Sequence, residues 1–293
     1  KRSAAIALGQ IGPNCSPKQQ KELIDTLKAI AMGDRDSDSS IRNFATISLG
    51  RIGGAKGVSD DTRDEAVKTL AYVMDKGKPA TLAPPFAAMG LGLIGRALAD
   101  EGKRVRDMFD ETKEARSRGA YAISLGMLKD KLAIPALKKV LEDKGADNKL
   151  RGYCAVALGM IGAPDCRDAI KTALTEDTDR DLRVQTAVAA GLIGDAGVIK
   201  NLVDILESAE DSQYILGSVA LSLGQIGDEK SIEPLVKIAL DTDKKFPDLT
   251  RALATVALGQ IGDRRDLPVL SRVARDFNYR AHVPAMAELL TIL

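Results

Sequence analysis

Apolar positions along this chain recur on two scales. Within a segment they fall three and four residues apart, as in Leu23, Ile24, Leu27 and Ile30, the spacing of one helical face. Between segments, a short block returns along most of the chain: Leu8-Gly9-Gln10-Ile11-Gly12, then Leu49-Gly50-Arg51-Ile52-Gly53 and Leu91-Gly92-Leu93-Ile94-Gly95. A degenerate copy, Leu125-Gly126-Met127-Leu128-Lys129, is followed by Leu158-Gly159-Met160-Ile161-Gly162 and Ala190-Gly191-Leu192-Ile193-Gly194. Leu223-Gly224-Gln225-Ile226-Gly227 and Leu258-Gly259-Gln260-Ile261-Gly262 complete the series. The first glycines of these anchors are spaced by 41, 42, 34, 33, 32, 33 and 35 residues. A period of this length marks a stacked-repeat architecture, in which each unit buries its apolar face only against its neighbours.

Each repeat reads as two helices, with the anchor at the end of the second. On a helical wheel Ile41, Ala45, Leu49 and Ile52 fall on one side. The opposite side carries Thr46, Ile47 and Gly50, which are small or apolar too. A helix apolar on nearly every side is buried on nearly every side. The last glycine of the anchor suits the left-handed residue that ends a helix. The first helix opens on signals such as Ser16-Pro17-Lys18-Gln19, a serine cap with Pro at the first helical position and Gln at the third. Equivalent starts are Ala133-Ile134-Pro135, Ser231-Ile232-Glu233-Pro234 and Asp266-Leu267-Pro268. Acidic turns join the two helices at Asp34 to Asp38, Asp177 to Asp181 and Asp241 to Asp243.

The chain resembles HEAT-repeat proteins of the short bacterial type, the phycobilisome lyase HEAT-like class. Leu150-Arg151 through Gly162, Leu182-Arg183 through Gly194 and their counterparts carry the resemblance. It implies an all-α fold, a right-handed α-solenoid of helical hairpins over residues 1–293, forming one array of about eight repeats. The first repeat reads as truncated, a second helix without its partner, so Ile6, Leu8 and Ile11 are expected to be poorly covered. Residues 281–293 read as a half-repeat covering the far end of the core. The family implies a protein-binding scaffold, with a chromophore (bilin) lyase or lyase subunit, and a nucleic-acid binder, as alternatives.

Composition narrows the chemistry. The 293 residues hold 42 basic and 41 acidic side chains, 5 Phe, 5 Tyr and no Trp. Balanced charge opposes a general nucleic-acid or membrane-surface binder, and the apolar content opposes disorder. Three cysteines, Cys15, Cys154 and Cys166, are too few and scattered for a disulfide framework or a zinc cage, which suggests the cytoplasm. The one histidine, His282, precedes Val283, so the paired His-Glu motifs of iron-binding deoxyhypusine-hydroxylase-type HEAT enzymes are missing. No catalytic residue, cofactor or metal is expected, and the chain is expected not to be an enzyme.

Four motifs invite sharper readings. Gly90-Leu91-Gly92-Leu93-Ile94-Gly95 matches a dinucleotide fingerprint, but it follows a helix and repeats elsewhere as packing glycine. Asp34, Asp36 and Asp38 space like a calcium loop that lacks its Gly and its Glu, so helix capping is expected instead. Residues 103–118 hold alternating charges, with Lys103–Asp107 and Arg106–Asp110 four apart. Residues 79–95 are uncharged but broken by Pro84-Pro85, and read as a buried second helix rather than a membrane span.

Arg42, Arg118, Arg151, Arg183 and Arg251 recur eight residues before an anchor glycine. They read as a structural ladder, each arginine paired with aspartates of the turn before it. One residue after the glycine stand Gln10, Arg51, Leu93, Met127, Met160, Leu192, Gln225 and Gln260. Six residues before it stand Phe44, Phe86 and Tyr153. Second helices of this family line the concave face, so Phe44, Arg51, Phe86, Leu93, Met127, Tyr153, Met160 and Leu192 are the candidate surface for an apolar peptide or protein partner. The competing reading is that they fill space between adjacent helices. Self-association through the open N-terminal end is a further expectation.

Overall fold

A computed structural model describes residues 2–33, 38–76, 82–95, 99–177, 179–194, 196–208 and 212–262. Asp34 and Asp36, the helix start at Asp266, His282 and the half-repeat at 281–293 lie outside the described residues.

The described chain is helical throughout. The second helices, which carry the anchors, are α1 (Arg2–Ile11), α3 (Ser39–Gly53), α5 (Ala83–Ile94), α7 (Ala115–Met127), α9 (Asn148–Ile161), α11 (Arg180–Ile193), α13 (Gln213–Ile226) and α15 (Asp248–Gly262). The first helices alternate with them: α2 (Pro17–Met32), α4 (Asp60–Lys76), α6 (Ala99–Glu111), α8 (Ile134–Glu142), α10 (Arg167–Glu176), α12 (Ile199–Ser208) and α14 (Ile232–Ala239). Single 3-10 turns precede α2, α8, α10, α12 and α14. Each second helix packs on the next, and each first helix lies against its own second helix. The first helices touch one another far less. The result is an all-α solenoid of helical hairpins in two layers, with one buried apolar core running from Ile24 to Ile261.

Local chemistry fixes the ends of the helices. Ser16 and Gln19 close a reciprocal capping box at the start of α2, and Gly33 ends that helix at φ 84°. Asp38, Asp147 and Asp179 each accept the backbone N–H three residues on, starting α3, α9 and α11. Glu114 caps α7 through the N–H groups of Arg116 and Ser117. The last glycine of the anchor is left-handed at Gly95, Gly162, Gly194 and Gly227, with φ between 67° and 76°. Gly53 and Gly262 stay inside their helices and Gly12 enters a 3-10 turn, so that role is not general. Lys129, in the degenerate copy, adopts φ 56° without the glycine. Its Nζ donates to the Met160 carbonyl of the next repeat.

The surroundings of each second helix fall into four sectors that recur from repeat to repeat. Residues five and one before the anchor glycine face the first-helix side. They include Ala45, Leu49, Ala87, Leu91, Leu125, Cys154 and Leu158, all with no measurable exposure. The anchor glycine faces the next repeat and meets the residue two before that repeat's own glycine. A methyl on Gly50 would lie 2.3 Å from the Gly90 carbonyl oxygen, on Gly126 2.8 Å from Ala157 Cα, and on Gly224 2.6 Å from Ala257 Cα. The residues met in this way are Ser48, Gly90, Ser124, Ala157, Ala189, Ser222 and Ala257, every one small. Two of them also bond across the seam, Ser48 Oγ to the Ala5 carbonyl and Ser222 Oγ to the Ala187 carbonyl, each at 2.6 Å. The fourth sector faces solvent.

Ile11 shows what that packing covers. It is 54% exposed, whereas Ile52, its counterpart in the next repeat, is wholly buried. Ile6 is exposed and Leu8 is half-buried.

Candidate functional site

The solvent sector of a second helix contains the residues ten, six and three before the anchor glycine and one after it. At 100° per residue these four positions span an arc of roughly 60°, a narrow face. In α9 they are Lys149, Tyr153, Val156 and Met160. Side by side across α3, α5, α7, α9 and α11, the last three positions make rows of apolar groups. The first row is Phe44, Phe86, Ala120 and Tyr153, all half-buried, with Gln185 closing it. The second holds Ile47, Met89 and Val188, half-buried, with Ile123 and Val156 nearly covered. The third is Arg51, Met127, Met160 and Leu192, half-buried, and Leu93, 37% exposed.

These side chains also fill space between helices. The Phe44 and Phe86 rings meet edge-to-face, 6.4 Å between centroids. Tyr153 lies over Gly119 of the preceding repeat, Met127 over Gly92, and Leu192 Cβ 3.1 Å from a methyl placed on Gly159. The candidate surface is therefore one strip, seated on the glycines below it and wet on its other side. The middle row, three residues before the glycine, is absent from the sequence-level candidates. Its signal was a four-residue step from Ile47 to Arg51, of the kind that marks one helical face.

The arginine ladder departs from its expected pairing at Arg151. Arg118, Arg151 and Arg183 lie on the first-helix side, and each Nε donates to a carbonyl near the end of that helix. The acceptors are Phe109 at 3.0 Å, Leu141 at 3.0 Å and Leu174 at 3.2 Å. They satisfy carbonyls that a helix end leaves open. Arg118 also stacks on the Phe109 ring at 4.6 Å. Arg151, with 4% of its side chain exposed, pairs with Asp177 at 2.7 Å. Asp177 belongs to the turn after Arg151, not the turn before it. Among the described residues Arg251 pairs with Asp248 of its own helix, at 3.4 Å, and Arg42 is exposed beside Gly33. Arg63, outside the ladder, makes the same type of bond to the Gly53 carbonyl at 3.0 Å.

Other expectations resolve in the same way. Gly90, Gly92 and Gly95 lie within or end α5, where a methyl on Gly90 would meet the Thr46 carbonyl oxygen at 2.8 Å, so packing accounts for the fingerprint. Arg106 pairs with Asp130 of the following loop rather than with Asp110, and Arg104 reaches back to Asp75 at 2.6 Å. Backbone bonding from Ile41 pulls the Asp38 carboxyl below its ordinary value, and the Ser117 hydroxyl, then its backbone N–H, lowers Glu114. Burial pushes the Cys154 thiol and the Tyr121 hydroxyl each up to about 12. Among the described residues no cluster of His, Cys, Asp or Glu could hold a metal, and no helix is long and apolar enough to cross a membrane.

With the geometry in place, comparison with known proteins identifies the repeat. The HEAT-repeat family model matches residues 143–216 and 209–287. Residues 143–287 carry HEAT repeats. Among solved structures, this HEAT array is similar to the complex of CpcE and CpcF of phycocyanin lyase from Nostoc, with 20% identity and a TM-score of 0.53. That match covers 80% of this chain and 94% of the other. The Escherichia coli protein YibA matches at 15% identity and TM-score 0.46, covering 87% of this chain and 96% of the other. Human deoxyhypusine hydroxylase in complex with glycerol matches at 16% and 0.40, covering 89% and 96%. No curated protein matches the sequence. At these identities the likeness is one of fold.

Proposed function

We propose that this HEAT array is a non-catalytic scaffold that binds a protein or peptide along the free face of its second helices. The observation that carries the reading is the apolar strip from Phe44 to Leu192, half-buried and continuous over five helices. A surface that keeps contiguous apolar groups in water marks an interaction site. Second helices lie in closer contact with one another than first helices do, which supports a face that is concave on the second layer. Methionines give such a face adaptable contact and the aromatics give it anchors. Three free thiols fit a reducing compartment, which supports a cytoplasmic location.

The test uses peptides selected on the purified protein from a displayed library. Their affinity is measured for the wild type and for Met127→Glu with Met160→Glu, with circular dichroism confirming the fold. Loss of binding with the fold retained supports the reading. Unchanged affinity of the selected peptides in the folded variant refutes it.

A second reading makes the chain a bilin lyase subunit. Its support is the likeness of fold to the phycocyanin lyase complex. Absorbance of purified protein mixed with a free bilin separates the two, because a subunit that handles chromophore shifts the spectrum and a peptide scaffold leaves it unchanged.

A further inference from the structure

The strip has charged residues of mostly one sign at its margins. On the solvent sector of α3, α5, α7, α9 and α11 the charged residues are Arg51, Arg116, Lys149 and Asp181. The same sector in α1, α13 and α15 holds none: it presents Ser3, Ile6 and Gln10, then Tyr214, Ser218, Leu221 and Gln225, then Leu249, Leu253, Val256 and Gln260. Among the described second helices, charge on this face is thus confined to those that form the apolar strip. Asp181 has Arg180 beside it at 3.8 Å. The Glu114 carboxylate near Arg116 is occupied by the backbone N–H groups of Arg116 and Ser117. Arg116 and Lys149 are exposed. The local excess of positive charge stands on a chain whose net charge is only +1.

Dimensions select the shape of the occupant. From six residues before the glycine to one after it is seven residues, roughly 10 Å along a helix, which matches the 10–12 Å diameter of an α-helix with its side chains. Five second helices at roughly 8–10 Å spacing give a strip on the order of 32–40 Å long, the length of about 21–27 helical residues. The surface is made of helix faces and offers no sheet edge for strand addition. Arg116 and Lys149 stand on adjacent helices at one margin, and Arg51 stands at the other. Two carboxylates on one flank of a bound helix, about six or seven residues apart, would span the helix spacing between Arg116 and Lys149.

We infer that the strip receives an acidic amphipathic helix of a partner protein, its apolar stripe on the three rows and its Asp and Glu residues against Arg116, Lys149 and Arg51. This rests on the scaffold reading above and adds the chemistry of the partner. Three synthetic helices of about 22 residues test it, with one leucine stripe and flanks of Glu, Gln or Lys. Each is titrated by fluorescence anisotropy into the wild type and into Arg116→Glu with Lys149→Glu, both margins being exposed so that the fold is kept. The Glu-flanked helix is expected to bind about tenfold tighter than the Lys-flanked one at low salt, less so at high salt, with the order reversed in the variant. Equal binding of all three overturns the charge selection and leaves the scaffold reading standing. Binding of none overturns both. Retention on phosphatidylglycerol vesicles, lost in the charge-reversed variant, together with indifference to the peptides, assigns the margin to a membrane and overturns the inference.

Discussion

The seam between repeats makes a prediction whose sign separates two physical effects. Take Gly50→Ala in the middle of α3. Helix propensity alone favours the change by about 1 kcal/mol, because alanine loses less backbone freedom on ordering than glycine. The structure opposes it. The new methyl would lie 2.3 Å from the Gly90 oxygen, 2.6 Å from Gly90 Cα and 2.8 Å from its carbonyl carbon, all backbone atoms of α5. Carbon contacts are comfortable near 3.5–4.0 Å, so α3 and α5 must separate by roughly 1 Å along their contact. No side chain can rotate out of the way, and the gap spreads to the Phe44–Phe86 contact on one side and to Leu49 and Leu91 on the other. Overpacking of this type costs about 1–3 kcal/mol or more, enough to outweigh propensity. Gly50→Ala is therefore expected to destabilise by up to about 2 kcal/mol net. Urea unfolding gives the magnitude, and hydrogen exchange places the loss in α3 and α5, which matters because a stacked array need not unfold in one step. A variant as stable as the parent, or more stable, would refute the close backbone approach.

Three further outcomes follow from individual groups. Arg151→Met is expected to lower stability by about 2–3 kcal/mol, because it opens the Leu141 carbonyl and removes the Arg151 guanidinium from half-buried Asp177; Arg251→Met, whose partner Asp248 is fully exposed, is expected to change unfolding little. Cys154 is expected to resist an aromatic disulfide reagent in the native state and to react only on unfolding, since burial holds its thiol protonated up to about 12, while half-buried Cys15 reacts first. A raised pKa in the folded state keeps its full stabilisation below the unfolded value and loses it as pH rises, so stability is expected to fall between about 9 and 12 as Cys154 and Tyr121 ionise more readily in the unfolded chain; Cys154→Ala flattens the first part of that fall in pH-dependent urea titrations.

How much of this was legible in the sequence depended on whether the partner was a side chain or a backbone. The anchors were plain because glycine has no substitute at a close approach, and their spacing gave both the two-helix unit and the solenoid. Ser16 and Gln19 announced α2 because a capping box is written in two side chains. The ladder was half legible. Arginine recurred on the side facing its own first helix, but the acceptors of Nε at Phe109, Leu141 and Leu174 are carbonyls that every residue carries. Sequence offered aspartates of the preceding turn instead, while the aspartate held by Arg151 sits in the following one. The small residues two before each anchor glycine stood in view at Ser48, Ala157 and Ser222. Their role emerges only when one repeat is set beside the next, because each touches a glycine some thirty to forty residues earlier. The candidate strip was two-thirds legible. Its outer rows were named, and Ile47, Met89 and Val188 between them were not, because a wheel apolar on all sides conceals which apolar side is wet.

That last point bears on why the strip is apolar at all. Three of the four sectors around a second helix are fixed by packing: small residues at the seam, leucine and alanine toward the first helix, arginine where a carbonyl needs a donor. Within the solvent sector the middle row follows the same demand, since Leu221 of α13 and Val256 of α15 continue the series of Ile47, Met89, Ile123, Val156 and Val188. The outer rows follow it less strictly, although Leu253 of α15 keeps an apolar group six before its glycine. In α13, Ser218 and Gln225 stand at the positions that hold Tyr153 and Met160 in α9. Both helices keep their seams, Gly159 against Ala189 and Gly224 against Ala257. The fold therefore tolerates polar residues in the outer rows, and polar residues there would lower the apolar area left in water. Phe44, Phe86 and Tyr153 in one outer row, and Leu93, Met127, Met160 and Leu192 in the other, are not a requirement of the solenoid. The proposed partner helix would cover them, and the cations at Arg51, Arg116 and Lys149 would select its charge.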